Sequence, residues 1–404
     1  MKKLKISATL MLLSFVIAIM AACGQTAVSS TPATGNTATT TTTSTTATTS
    51  TVQTNQDGDI DWDALPTTEV SLSDDGYAIT AAGTYIFTGS TTGQITVNAN
   101  GNVKIVLSNA SIKSTQGAAI YVESADLTVL SLASGTTNTV EDAATRSDEE
   151  IDGAIYSADD LIISGDGTLN VTSNFADGIV GKDDLWIYSG TINVTSADDG
   201  IRGKDSLTIY GGTIVIDAVQ DGMKSSNDSD LEKGLLQIAG GDITINSGDD
   251  AIKAEQKLQI TGGTINIITS VEGIEAPVII IDDGDITVYA TDDGINASAS
   301  AIITTGLSIT INGGNLTVSV AQGDTDALDS NGDLTIAGGV VTLTAQSAID
   351  YDGVGSFTGG TLIVNGTTLT ELPAQMMGGG MGGGMGGGQR PGGGMGQNTT
   401  ATTA

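Results

Sequence analysis

A motif of about 22 residues recurs through the middle of this chain, and it limits the possible folds more than any other feature. Its template is Leu-x-Ile-x-Gly-Gly-Thr-Ile-x-Val, followed by a short polar gap and Asp-Gly-Ile. The first strand positions of successive copies are spaced by 24, 22, 29, 22, 21, 30, 25 and 21 residues. These anchors are Leu161, Leu185, Leu207, Leu236, Leu258, Ile279, Ile309, Leu334 and Gly355. A period of this length without a helical pattern inside it is typical of a solenoid.

Each copy contains two strands of about four residues with alternating polarity, and a third, very short strand at Gly-Ile. Leu185 and Ile187 face one side of their strand, while Trp186 and Tyr188 face the other. Three short strands per turn predict an all-β, single-stranded parallel β-helix in which aliphatic side chains stack inside. The two long spacings indicate insertions at Ser225–Gly234 and Ala297–Gly306. A propeller or sandwich would need hairpin signals in phase with the repeat, and none recurs.

Composition divides the chain into four segments. Residues 1–23 combine a basic start, an apolar stretch too short for a spanning helix and small residues before Cys23, which resembles a bacterial lipobox. We predict lipidation of Cys23 rather than ordinary cleavage near Ala22, because this explains a single cysteine in a secreted chain. Residues 24–56 are predicted to be a disordered Thr/Ser/Ala-rich linker, 57–372 the β-helix, and 373–404 a disordered Gly/Met-rich tail.

Charge and missing residue types exclude several functions. The chain has 47 acidic and 14 basic residues and a formal charge of −33, which repels nucleic acid and suits divalent cations. The absence of histidine excludes Ser-His-Asp and Cys-His catalysis and His-ligated metal sites. A single cysteine excludes internal disulfides and Cys-rich zinc sites.

Aligned repeats place acidic residues in one column at the corner before Gly-Ile, about 4.8 Å apart from rung to rung. Such a wall of like charge needs cations, which either the neighbouring basic column or Ca²⁺ can supply. Alternatively, Asp-Gly is only good turn chemistry and the carboxylates are solvated. The predicted calcium ligands are Asp152, Asp177, Asp198, Asp199, Asp221, Asp249, Asp250, Asp292, Asp293 and Asp326.

Basic and aromatic side chains cluster on the same rungs. The basic groups are suited either to uronate carboxylates or to a salt-bridge ladder between corner columns. The aromatic groups point outward if the inward assignment holds, and they suit either sugar rings or cross-strand stacking. The predicted ligand-binding residues are Lys182, Arg202, Lys204, Lys224, Lys253, Trp186, Tyr188 and Tyr210.

The runs that begin at Asp177, Asp198 and Asp221, with Gly83-Thr84-Tyr85 and Asp329-Ser330-Asn331-Gly332-Asp333, resemble a family of bacterial surface carbohydrate-binding proteins. The resemblance covers roughly residues 66–366. It implies a right-handed parallel β-helix similar to polysaccharide lyases, bound calcium, and affinity for plant polysaccharides including acidic pectic ones. The corners at Asp250-Ala251 and Glu272-Gly273 depart from the family pattern, which weakens the case for calcium on those rungs.

We therefore expect a monomeric protein, lipid-anchored to the outer face of a bacterial cytoplasmic membrane, that binds calcium and polysaccharide without catalysis. One alternative is a calcium-dependent lyase of pectate type, with Lys182, Arg202, Lys204 or Lys224 as the base. Against it, a base needs a lowered pKa, and these residues stand beside acids in the sequence, whose negative charge opposes loss of a proton. A second alternative is a structural adhesin without a small ligand.

Overall fold

The computed structural model describes residues 60–323 and 325–373. Cys23, the predicted leader, the linker up to residue 56 and all but the first residue of the tail lie outside the described residues. Within the described residues, the regular structure is β apart from a short 3-10 helix at Trp62–Ala64. Within the described part, no helix is long and apolar enough to cross a membrane.

The strands form parallel rungs with three faces, so the prediction of a parallel β-helix is confirmed; the last strand, Thr367–Leu369, pairs antiparallel with Thr361–Val364. The first and second faces belong to one 24-stranded sheet, because the long strands Gly83–Thr91 and Asn102–Lys113 run across both. The remaining strands of face 1 are Thr67–Leu72, Leu127–Leu132, Leu161–Gly165, Asp184–Ile187, Ser206–Ile209, Leu235–Ile238, Lys257–Ile260, Val278–Ile281, Ser308–Ile311, Asp333–Ile336 and Gly355–Phe357. Those of face 2 are Thr137–Glu141, Thr168–Thr172, Thr191–Ser196, Thr213–Ala218, Asp242–Ser247, Thr264–Thr269, Asp285–Ala290, Asn315–Val320, Val340–Thr344, Thr361–Val364 and Thr367–Leu369.

Face 3 is a separate 12-stranded sheet made of the short third strand of each rung, which in most repeats begins at or next to Gly-Ile. Its strands are Tyr77–Ile79, Ile95–Asn98, Ile120–Ser124, Gly153–Ser157, Asp177–Gly181, Ile201–Gly203, Met223–Ser225, Ile252–Ala254, Ile274–Glu275, Ile295–Ala297, Asp326–Ser330 and Ser347–Tyr351. The candidate site described below lies along the outer side of this sheet.

The register of the rungs is the one that the anchors predict. Leu161 pairs with Leu185, Leu185 with Leu207, and each later anchor with the next, as far as Leu334 with Gly355. A slip of one residue would turn every interior side chain towards solvent, so the apolar alternation fixes this pairing.

Stacked aliphatic side chains fill the interior. In one rung, Leu207, Ile209, Ile214 and Ile216 are all at most 1% exposed, and equivalent residues above and below them belong to the same core cluster. Because each interior position packs against its own copy on the next rung, the core needs few aromatic residues. Both predicted insertions are loops, since the face 3 strands end at Ser225 and Ala297 and the following strands begin at Leu235 and Ser308.

Candidate functional site

The predicted corner column is present, because consecutive corner acids are neighbours through the backbone. The N–H of Gly178 donates to the carbonyl of Asp199 at 2.9 Å, and that of Gly200 to the carbonyl of Asp221 at 2.8 Å. The same bond recurs on later rungs from Gly222 to Asp250, Ala251 to Glu272, Gly273 to Asp293 and Gly294 to Asp326.

One oxygen of several corner carboxylates accepts a backbone hydrogen bond from the next rung, which the sequence analysis did not predict. Oδ1 of Asp177 accepts the backbone N–H of Asp199 at 3.1 Å, and Oδ1 of Asp199 accepts that of Asp221 at 3.1 Å. Oδ1 of Asp221 accepts the backbone N–H of Asp250 at 3.0 Å. These carboxylates therefore tie adjacent rungs together, and only Oδ2 remains for a cation.

The neighbouring basic column neutralises the earlier corners. Arg202, Lys224 and Lys253 project from adjacent face 3 strands, in the predicted register. Arg202 pairs with Asp152 and Asp177 at 2.5 Å each and with Asp199 at 3.8 Å. Lys224 pairs with Asp221 at 2.7 Å and Asp199 at 3.3 Å, and Lys253 with Asp250 at 2.7 Å and Glu275 at 2.5 Å. The salt-bridge ladder is thus the arrangement that the structure contains.

Burial and neighbouring charges together determine the pKa values of the groups in this ladder. Burial raises the pKa of Asp177 to about 7, although the Arg202 guanidinium acts against the increase. Burial by itself would lower the pKa of Lys224, but the carboxylates of Asp199 and Asp221 outweigh it and leave the pKa raised. The pKa of Lys253 is raised for the same reason. These cations therefore stay protonated at neutral pH.

A groove of about 300 Å³ lies beside the ladder. It brings together four predicted basic ligand residues and four predicted metal ligands. Its lining is Asp152, Asp177, Lys182, Asp198, Asp199, Arg202, Lys204, Lys224 and Ser226. Within the described residues, the ammonium groups of Lys182 and Lys204 form no ion pair; that of Lys182 lies 5.8 Å from the ring centroid of Tyr156. These two lysines are the cations that the groove can offer to a ligand.

Lys253 lies outside this groove. It lines a neighbouring cleft of about 310 Å³ between the two inserted loops, together with Asp228, Glu255 and Glu275. Because Lys253 already contacts two carboxylates there, it is less available to an anionic ligand than Lys182 or Lys204.

Two clusters of carboxylates are close enough to share a cation. Ligand atoms of Asp221, Asp249 and Asp250 lie within 4.8 Å of one another, as do those of Asp250, Glu272 and Glu275. Lys224 contacts the first cluster through Asp221, and Lys253 contacts both through Asp250. Protein cations already compensate part of this charge.

The later corners have different surroundings. Asn296 is 7% exposed, and its amide donates to Glu272 at 3.0 Å while its Oδ1 accepts no hydrogen bond. Asn296 stands next to Asp329 in the register of face 3. Burial raises the pKa of Asp329 to about 7, and the carboxylates of Asp293 and Asp326 raise it further. A buried amide oxygen without a donor, beside several carboxylates, fits a hard cation such as Ca²⁺.

The prediction that Trp186 is an exposed sugar platform is wrong. Trp186 does point away from the main core, but it is 2% exposed and packs with Val129 and Ile162 in a second cluster. Ile60 and Trp62 from the N-terminal segment also pack against this cluster. The sequence did not indicate that a distant part of the chain would cover the outer side of face 1.

Tyr188 and Tyr210 are only partly covered. Their rings stack at 4.6 Å between centroids with an interplanar angle of 7°, which is the predicted cross-strand stacking. They lie on face 1, whereas Lys182 and Lys204 follow the strands of face 3. The structure therefore separates the predicted ligand residues into a basic groove and an aromatic patch.

Two tyrosines that the sequence analysis did not select stand in the same column as Arg202. Tyr121 pairs with Tyr156, Tyr156 with Val180, and Val180 with Arg202. The irregular spacing of the first rungs hid this alignment. The column thus changes along face 3 from aromatic through basic to acidic.

Two known proteins resemble part of this chain. A carbohydrate-binding domain-containing protein of Acetivibrio thermocellus is 36% identical over 133 residues, 31% of this chain and 46% of that protein. The chain therefore spans about half the length of that relative. A solved structure titled "Structure of the polysaccharide lyase-like protein from C. thermocellum, Gadolinium derivative" is 31% identical, with a TM-score of 0.49, and covers 54% of this chain and 96% of the other.

The family model extends over most of the rungs described above. It is described as "Carbohydrate-binding domain-containing protein" and matches residues 73–322, more than half of the chain. The matched residues include the whole groove and the salt-bridge ladder. This protein belongs to the family of carbohydrate-binding domain-containing proteins.

Proposed function

We propose that this protein binds acidic polysaccharide at the cell surface, in the groove on face 3, without cleaving it. The observation that carries the proposal is the pair of ammonium groups on Lys182 and Lys204, which form no ion pair within the described residues. The backbones of the two lysines occupy equivalent positions on adjacent rungs, about 4.8 Å apart, because the N–H of Lys204 donates to the carbonyl of Gly181. Carboxylates repeated along a uronate chain suit such a row of cations.

Calcium is part of this proposal. The residues best suited to hold it are Asn296, Asp329 and the neighbouring corner acids, since an orphaned buried oxygen stands among carboxylates there. Between Lys257 and Arg390 the sequence has no basic residue that could take the place of a metal ion. Bound Ca²⁺ would supply positive charge that holds adjacent corners together.

The raised pKa values of the ladder cations argue against Lys224 and Arg202 as the base of a lyase. A lyase base must lose its proton near neutral pH, and acidic neighbours hold Lys224 in the charged form. The pKa of Arg202 is raised as well. We propose in addition that acylation of Cys23 anchors the chain, with the Thr-rich segment as a spacer.

A single incubation of the purified full chain with polygalacturonate and Ca²⁺ tests this function. We expect retention on the polymer without the rising ultraviolet absorbance that unsaturated ends produce. Lys182→Gln with Lys204→Gln should weaken retention and reduce its dependence on salt, since two cations are lost. Lys257→Gln, which removes a lysine on face 1, is the matched control and should bind normally. Rising absorbance would show a lyase, and absence of retention would favour an adhesin.

A further inference from the structure

The groove is bordered on its N-terminal side by Tyr121 and Tyr156. Tyr156 is 8% exposed and half-buried Tyr121 lies against it, with ring centroids 5.8 Å apart and an interplanar angle of 55°. The Lys182 ammonium lies 5.8 Å from the centroid of the Tyr156 ring. Since Lys182 also lines the groove, the tyrosine pair is continuous with it.

Carboxylates surround the outer tyrosine. Glu123 lies two residues after Tyr121 on the same strand, so both side chains project from the same side of face 3. The amide of Asn98 donates to Glu123 at 2.8 Å and orients its carboxylate. Burial raises the pKa of the Tyr121 phenol, and the charges of Glu123 and Asp148 raise it further.

The loop that carries Asp148 is held firmly. Arg146, whose side chain is 2% exposed, pairs with Asp142 at 2.5 Å and donates to the carbonyls of Ala143 and Ile151 at 2.7 and 2.8 Å. Buried charge-assisted bonds of this kind fix a loop in one geometry. Ile151 packs in the same apolar cluster as Tyr121 and Tyr156, and its N–H donates to the carbonyl of Asp148 at 3.3 Å, so the loop with the exposed Asp148 lies beside the tyrosines.

We propose that Tyr121, Glu123 and Asp148 form a subsite for an uncharged sugar ring at the end of the basic groove. An aromatic face packs against the C–H groups of a pyranose, and carboxylates accept hydrogen bonds from its hydroxyls. The same carboxylates repel a uronate, which the lysines attract. This inference rests on the proposed function, and it narrows the ligand to chains in which neutral residues adjoin acidic ones.

The test compares two forms of one polymer, polygalacturonate and the same polymer with about half of its carboxylates methyl-esterified. The wild-type chain should bind the half-esterified form more tightly at high salt, where the lysine contribution is screened. Tyr121→Ala should lose about tenfold in affinity for that form, typical of a central aromatic contact, and less than twofold for the charged form.

Two variants control this experiment. Tyr121→Phe keeps the ring and should bind as the wild type does, which separates ring contact from a folding defect. Tyr289→Ala removes an exposed tyrosine from face 2 and should change nothing. Equal binding by Tyr121→Ala and the wild type, or no preference of the wild type for the half-esterified form, would overturn the subsite. Either result would leave the proposal of polysaccharide binding in the groove unaffected. Failure of the wild type to bind either polymer would overturn both proposals.

Discussion

A single glycine at each Asp-Gly-Ile corner illustrates how closely adjacent rungs approach. A Cβ on Gly200 would lie 2.5 Å from the carbonyl oxygen of Gly222 and 2.5 Å from Cγ2 of Ile216. The backbone of the next rung and an interior side chain therefore exclude any larger residue at this position. The glycine serves close approach between rungs as well as the turn.

Gly200→Ala should lower the free energy of unfolding by about 1–3 kcal/mol, because the added methyl group overpacks the corner. Ala251 occupies the equivalent place on a later rung, where the native chain already has a fully buried methyl group. Ala251→Gly should therefore cost only about 0.5–1 kcal/mol, mainly through backbone entropy. Urea unfolding measures both values, and a Gly200→Ala chain as stable as the wild type would contradict the packing argument.

Asp160 should make stability depend on pH. Burial raises its pKa to about 6, the N–H of Asp184 acts against the increase, and the charges of Asp184 and Asp183 add to it. The folded state therefore binds this proton more tightly than the unfolded state, whose pKa is about 3.9. Its contribution to stability is complete below about pH 4 and is lost as the pH rises through about 6.

Asp160→Asn removes the charge and keeps an oxygen for the N–H of Asp184, which lies 3.2 Å from Oδ1. We expect the variant to melt at a higher temperature than the wild type near pH 8 and at the same temperature near pH 4. Thermal unfolding followed by circular dichroism across this range gives the comparison. A difference that is the same at every pH would mean that burial of this charge is not the cause.

At the scale of elements, the N-terminal segment (residues 60–65) acts as a cover for the outer side of face 1. Trp62 packs on the cluster that contains Trp186, and the Lys104 ammonium lies 4.3 Å from the centroid of a Trp62 ring. The two tryptophans of the chain thus meet in one cluster, although 124 positions separate them in the sequence. Apolar burial, rather than strand pairing, holds this segment in place.

Trp62→Ala should uncover Trp186, which then becomes the single tryptophan of the chain. We expect its fluorescence emission to shift to longer wavelength and the free energy of unfolding to fall by about 1–2 kcal/mol. Trp62→Phe also leaves one tryptophan but keeps an apolar ring on the cluster, so its emission should stay close to that of a buried indole. Identical spectra for the two variants would show that the segment does not shield Trp186.

The rungs themselves were largely predictable. Interior and exterior positions alternate along each strand, and a repeat then places equivalent residues above one another. The predicted pairing of Leu185 with Leu207 and the loop after Ser225 both follow from counting residues. The first rungs were harder, because their spacing is irregular and Tyr121 and Tyr156 stand 35 positions apart.

At the scale of the whole molecule, charge is unevenly compensated. Arg202, Lys224 and Lys253 pair with the acids on the earlier rungs. Beyond Lys257 the described chain contains acids and no basic residue. The later rungs should therefore respond most strongly to added cations.

Millimolar Ca²⁺ should raise the melting temperature of the chelator-treated protein. A ligand that binds only the folded state adds about 2.7 kcal/mol at a hundred times its dissociation constant. Mg²⁺ should substitute poorly because it keeps its waters and demands octahedral geometry. Sodium chloride at matched ionic strength should have a smaller effect, because it only screens charge.

Two variants locate the effect of calcium. Asp329→Asn should reduce the calcium-dependent increase in melting temperature, since Asp329 lies beside the orphaned oxygen of Asn296. Asp242→Asn removes an exposed carboxylate from face 2 and should leave the increase unchanged. Equal stabilisation by Mg²⁺ or sodium chloride would mean that the acidic column is solvated and responds to charge screening rather than to specific calcium binding.

The sequence by itself determined the parallel β-helix, the register of its rungs and the columns of corner acids and cations. All of these follow from periodicity, because a repeat converts distance along the chain into stacking in space. Tertiary structure alone decided that Trp186 is covered and that Oδ1 of Asp177 is used by the backbone of the next rung. It also decided that Lys182 and Tyr156 meet at one groove. Those facts depend on side-chain direction and on contacts between unequally spaced rungs, which no repeat pattern specifies.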